Sequence, residues 1–139
     1  MKTIIDTNII VDVSLERQSF YPETIQVISF VYQKQIEGYI SASSFSDLYY
    51  IIRKQKGRDL TLDFLRRIRT FCEIATVNNV AIDLALNTNF PDFEDAIQYS
   101  TAVINQLDAI VTRNTQDFPV VNPRILPPNL LIQELNNSV

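Results

Sequence analysis

"MKTIIDTNIIVDV", Met1 to Val13, opens the chain as apolar core interrupted by polar residues. Ile4, Ile5, Ile9, Ile10, Val11 and Val13 suit a buried strand. Asp6, Asn8 and Asp12 do not, because a carboxylate in an apolar run costs free energy unless something pairs with it. "KTIID" therefore reads as a short strand with Asp6 standing just past the core.

Helix and strand signals alternate from there on. "YPETIQVISFVYQKQIEG" reads as a helix, with Pro22 and Glu23 in its first turn and Gly38 beyond its end. Ile25, Ile28 and Tyr32 form its expected core-facing stripe. "YISA" (Tyr39 to Ala42) reads as a second strand. A helix then starts near Ser44, whose spacing to Asp47 resembles a capping box. Asp59 opens another helix, "CEIATV" is a third strand, and Asn79 caps "VAIDLALNT". Asp92 opens the long helix "DFEDAIQYSTAVINQ", and "DAIVT" (Asp108 to Thr112) is a fourth strand. A short last strand falls near Ile125, and Pro128 sits in the first turn of a closing helix. Strands alternating with helices predict one α/β domain over residues 1–139. Its centre is a mainly parallel sheet of four to five strands flanked by helices.

Composition narrows the chemistry. A chain of 139 residues, 46% hydrophobic and 20% charged, can bury a real core. No apolar run is long enough for a membrane span, and the N-terminus lacks signal-peptide organisation. The single cysteine, Cys72, cannot form an internal disulfide, so a cytoplasmic setting is expected. The absence of histidine removes Ser-His-Asp and Cys-His catalysis and His-ligated zinc. Any metal needs oxygen ligands, which suits Mg²⁺ or Mn²⁺. Two glycines cannot build a phosphate loop or a dinucleotide fingerprint. The net charge is −4, yet Arg53, Lys54, Lys56 and Arg58 cluster, as do Arg66 to Arg69. They read as solvated helix ends or as a phosphate-facing patch.

The acids map onto the strand ends. Asp6 ends the first strand, and Asp47 follows the second. Asn114 and Asp117 follow the fourth, while Asp92 and Asp95 begin the long helix. Sites in open α/β sheets form outside the carboxyl ends of the strands. Asp95 reaches that edge only if its helix N-terminus points there. Convergent carboxylates need a counter-charge, and divalent cations supply it in phosphodiester chemistry. Taken singly, Asp47 and Asp92 also read as helix caps, and Asp117 as a turn residue. Asp12 reads equally as solvated loop or as support.

Four pieces now stand in order: "IIDTNIIVD", "SASSFSDLYYI", "DFEDAIQYSTA" and "IVTRNTQDF". Together the chain resembles the PIN-domain nucleases, including the VapC-like toxins of toxin–antitoxin pairs. The resemblance implies Mg²⁺- or Mn²⁺-dependent cleavage of RNA in an acidic pocket. Asp6, Asp47, Asp95 and Asp117 would be catalytic and would hold metal with Asn114. Asn8, Asp92 and Thr112 would support them. Arg113, together with Arg53, Lys54, Lys56 and Arg58, would contact RNA. It also implies a small antitoxin partner and a homodimer. Two departures stand out: Asp47 is a methylene shorter than the family's usual Glu, and Asn114 is neutral where Asp is usual. They motivate an alternative, a PIN fold that binds RNA or protein without cutting. An aspartyl phosphatase using Asp6 is disfavoured by Asn8, two places on, where a second acid would be needed.

Overall fold

The computed structural model describes residues 1–137. Five strands form one sheet: β1 (Lys2–Ile5), β2 (Glu37–Ser41), β3 (Glu73–Ala75), β4 (Ala109–Val111) and β5 (Arg124–Leu126). Their spatial order is β3-β2-β1-β4-β5, and every neighbouring pair is parallel. Among the described residues seven α-helices accompany them: α1 (Thr7–Leu15), α2 (Tyr21–Tyr32), α3 (Ser44–Lys56), α4 (Arg58–Arg69), α5 (Asn79–Leu86), α6 (Phe93–Ile104) and α7 (Pro128–Asn137).

Parallel sheets covered on both faces need strands that are apolar throughout. β4 is buried along its whole length, and β1 is buried from Thr3 onward. Side chains alternate between the two faces, as the pleat requires. Ile5 and Val111 enter the larger core, with Ile9, Val27, Leu48, Ile52 and Leu131. Ile4 and Ile110 enter the smaller one, with Ala75, Ala102, Leu107 and Phe118. Each fully buried Ile contributes about 1.5–3 kcal/mol.

The structure corrects the expected elements in four places. Residues Thr7–Leu15 continue β1 as a helix, not as strand or loop. Ile9, Ile10 and Val11 are all buried between the sheet and neighbouring helices, so no polar face breaks the run. α2 ends at Tyr32, and Gly38 lies inside β2, paired with Thr3. A Cβ on Gly38 would meet Val31 at 2.6 Å, so this glycine serves close helix–sheet packing and not a helix stop. The buried stripe of α2 is Thr24, Val27, Ile28 and Val31, while Tyr32 is 68% exposed. Asn78, not Asn79, caps α5, its Oδ1 accepting from the Ala81 N–H at 3.0 Å. Ser44 is the first helical residue of α3, which has no side-chain cap; Ser43 instead shares a hydrogen bond with Ser41.

Candidate active site

The strand order reverses between β1 and β4: from β1 the chain builds outward to β2 and β3, and then returns to β4 and β5. A crevice opens at such a switch point. Asp6 stands at its floor, its N–H donating to the Val111 carbonyl at 3.0 Å. Only 6% of it is exposed. Its Oδ1 accepts from the Thr7 N–H and from Gln98 Nε2, each at 2.7 Å. Its Oδ2 accepts from Thr112 Oγ1, also at 2.7 Å. Thr112 Oγ1 in turn accepts from the Asn114 N–H at 3.1 Å. The carboxylate that looked out of place in the sequence is thus fixed by three donors, two of them from across the fold.

Around it lies a cleft of about 280 Å³ lined by Asp6, Asn8, Asp92, Glu94, Asp95, Asn114 and Asp117, with Arg17 as its cation. The N-terminus of α6 does face the sheet edge. Asp92 caps that helix by accepting from the Asp95 N–H at 3.1 Å, and it also lines the cleft. Asp95 has its carboxyl pushed up to about 7 from 3.8. Burial is the largest cause, followed by the negative charges of Asp6, Asp92, Asp117 and Glu94.

Asp47 sits one step away. It lines an adjoining recess of about 160 Å³ with Thr7, Ser44, Glu94, Ile97 and Gln98. Glu94 belongs to both spaces. Its carboxyl is raised by partial burial first, then by Asp47 and Asp92, with Asp47 near enough for a carboxyl–carboxyl hydrogen bond. Asn114 precedes a 3-10 turn after β4 (Thr115–Asp117) and Asp117 ends it, and both reach the cleft. The acid that sequence reasoning missed is Glu94, and the missed orienting group is Gln98. Gln98 follows Asp95 by one helical turn and so shares its face.

Asp12 is neither solvated nor part of the cleft lining. It is fully buried, with Arg113 Nε at 2.6 Å and Arg113 Nη2 at 3.3 Å. Arg17 Nη1 approaches it at 3.4 Å. The Arg113 guanidinium also lies over the Phe20 ring, 3.7 Å from its centroid. Arg113, expected to meet phosphate, is therefore engaged inside the protein. Arg53, Lys54, Lys56 and Arg58 are exposed around the junction of α3 and α4, and none lines the cleft. Lys56 lies nine positions beyond Asp47 along α3, about 13.5 Å of helix. Arg58 pairs with Asp59 at 2.9 Å, and Arg53 lies 6.0 Å from the Tyr49 ring centroid.

The donor set suits a hard divalent cation. It is all oxygen, strongly negative, and includes the buried Asn8 Oδ1, which has no hydrogen-bond partner. Among the described residues no group of three acidic, cysteine or histidine side chains is set to hold a metal ion by itself. Water or phosphate oxygens would complete the coordination, as is ordinary for Mg²⁺. No helix among the described residues is long and apolar enough to cross a membrane.

Comparison with known proteins converges on one family. Ribonuclease VapC1 of Aquifex aeolicus is 24% identical over 106 residues, 73% of each chain. VapBC2 from Rickettsia felis, solved with a DNA fragment of its promoter, superposes with a TM-score of 0.68 at 17% identity, covering 91% of this chain and 98% of that one. A toxin–antitoxin complex from Klebsiella pneumoniae gives 0.67 at 21% identity, covering 91% and 97%. The family model described as the PIN domain matches residues 2–116, a span that runs from β1 into the turn after β4 and holds every acid of the cleft but Asp117; the chain belongs to the PIN domain family.

Proposed function

We propose that this chain is a metal-dependent endoribonuclease that hydrolyses RNA phosphodiester bonds and serves as the toxin of a type II toxin–antitoxin pair. The observation that carries the reading is the gathering of Asp6, Asp92, Glu94, Asp95 and Asp117 in one cleft at the switch point of the sheet. The ribonuclease relative and the toxin–antitoxin structures support it.

Asp6, Asp95, Asp117 and Asn114 would hold Mg²⁺ or Mn²⁺, with Asp47 acting through Glu94. When bound, the cation supplies Lewis acidity for a water nucleophile and for the leaving oxygen. The protein's own share is positional. Thr7, Gln98 and Thr112 fix both Asp6 oxygens, so little reorganisation is left for the reacting geometry. Asp95, whose carboxyl is pushed up to about 7 by burial and the neighbouring acids, would give up its proton to hold the cation.

The test is cleavage of single-stranded RNA with Mn²⁺ by the full chain. Cleavage should vanish in EDTA and fall at least about 100-fold in Asp6→Asn and Asp95→Asn. Undiminished cleavage by both folded variants would refute the reading. A small antitoxin is the proposed inhibitor, and its equimolar addition should abolish cleavage. A homodimer is the proposed solution state, and sedimentation reads it directly. Asn114 favours a second reading, a module that binds without cutting, because an amide brings no charge to the site. Calorimetry with Mn²⁺ separates the two, since a folded, RNA-free sample that binds no Mn²⁺ at millimolar concentration favours the module.

A further inference from the structure

Among the residues lining the acidic cleft, Arg17 is the one cation. Its neighbours Asp6, Asp92, Glu94, Asp95 and Asp117 repel a polyanionic strand, so Arg17 is the lining side chain whose charge attracts one. The pairing it has is weak. Asp12 already receives the Arg113 guanidinium at 2.6 Å, whereas Arg17 reaches it by one nitrogen at 3.4 Å. The Arg17 side chain is 41% exposed, against 20% for Arg113.

The backbone of Arg17 is fixed all the same. Glu16 turns the chain in the left-handed region at φ 49. The Arg17 N–H then donates to the Asp12 carbonyl at 3.1 Å, and its own carbonyl accepts from Phe20 and Tyr21 at 3.0 and 2.7 Å. A rooted main chain with a half-exposed guanidinium can swing its head towards the cleft by side-chain rotation alone. A planar fork of donors is the shape that grips a phosphate bidentately.

From this placement we infer that Arg17 is a phosphate-binding position for the RNA strand at the rim of the acidic cleft. The inference rests on the nuclease reading above and deepens it. Arg113 holds the buried charge of Asp12, which leaves Arg17 available to substrate.

The experiment uses the full chain in EDTA and a fluorescein-labelled dodecamer of uridine, with anisotropy read across a range of KCl concentrations. Arg17→Ala should weaken binding about 10-fold, and the slope of log affinity against log salt should fall by about 0.7, one phosphate contact on a single strand. Arg17→Lys should keep the slope. The denaturation midpoint of Arg17→Ala should stay near that of the unaltered protein; if it does not fold, Arg17→Gln, which keeps the stem and loses the charge, is read the same way. Unchanged affinity and unchanged slope in either neutral variant overturn the inference. If the unaltered protein cuts RNA in Mn²⁺ while Arg17→Ala behaves identically, this inference alone falls. If the unaltered protein neither binds nor cuts RNA, the nuclease reading falls with it.

Discussion

Replacing Arg113 with methionine removes the closest counter-charge from Asp12, a carboxylate with no solvent contact. Methionine retains much of the stem's packing, so the change isolates the charge and the stacking on Phe20. Breaking a buried ion pair by removing one partner costs about 3–5 kcal/mol, because the remaining charge is left uncompensated. Arg17, 3.4 Å away, can rotate in and recover part of that, which places the expected loss near 3 kcal/mol. Unfolding entropy is about 2.1 cal/mol/K per residue, so for this chain the melting temperature should drop by about 10 °C. Urea denaturation of Arg113→Met and of the unaltered protein, with matched slopes, measures the loss. Two further variants sharpen it. Asp12→Leu combined with Arg113→Met should recover most of the stability, since well-packed apolar replacements of buried pairs are often neutral. Arg17→Met should cost little alone and much more in the Arg113→Met background, because the two arginines share one carboxylate. A loss under about 1 kcal/mol in Arg113→Met would refute the assignment of Arg113 to Asp12.

The cleft itself makes stability pH-dependent when metal is chelated. The folded state holds the Asp95 proton up to about 7, whereas the unfolded chain releases it near 3.8. Stability from this group is therefore full below about 4 and is lost as pH rises to about 7; screening at a partly exposed site limits the loss to roughly 1–2 kcal/mol. Thermal melts in EDTA across this range check it, and Asp95→Asn should flatten the slope; a slope that survives in the variant argues against Asp95 as its source. Gly38→Ala should destabilise by about 1–3 kcal/mol, because the new methyl meets Val31 at 2.6 Å; an unshifted urea midpoint would contradict that packing. The buried Cys72 thiol is pushed up to about 12, chiefly by burial, so iodoacetamide at neutral pH should label it only after denaturation. Rapid labelling of the native protein would place Cys72 elsewhere than the core.

Much of this was legible because parallel sheets expose their logic in sequence. The apolar residues of β1 and β4 end abruptly in polar ones, and those ends locate Asp6, Thr112, Asn114 and Asp117 before any coordinate is known. The helix α1 was not legible, because Ile9, Ile10 and Val11 are all buried and leave no helical period. Gly38 misled for a related reason: its role is set by Val31 across the layer, and a glycine near a helix end reads most simply as a stop. The bond between Asp12 and Arg113 joins residues 101 apart, beyond any local pattern. Glu94 hid beside Asp95 in one acidic turn, where spacing cannot say which carboxyl turns towards Asp47.

The same sequence separations have a temporal meaning. Asp6 leaves the ribosome before the hydroxyl that fixes its Oδ2, that of Thr112, which is made 106 residues later. At about 5–20 residues per second that gap is roughly 5–20 seconds. During it β1 has no β4 beside it, Gln98 and Asp95 arrive late, and Asp117 later still. The order of synthesis therefore keeps the cleft incomplete on the nascent chain until Asp117 is made, so a protein proposed to cut RNA lacks the full set of cutting acids while it is still being built.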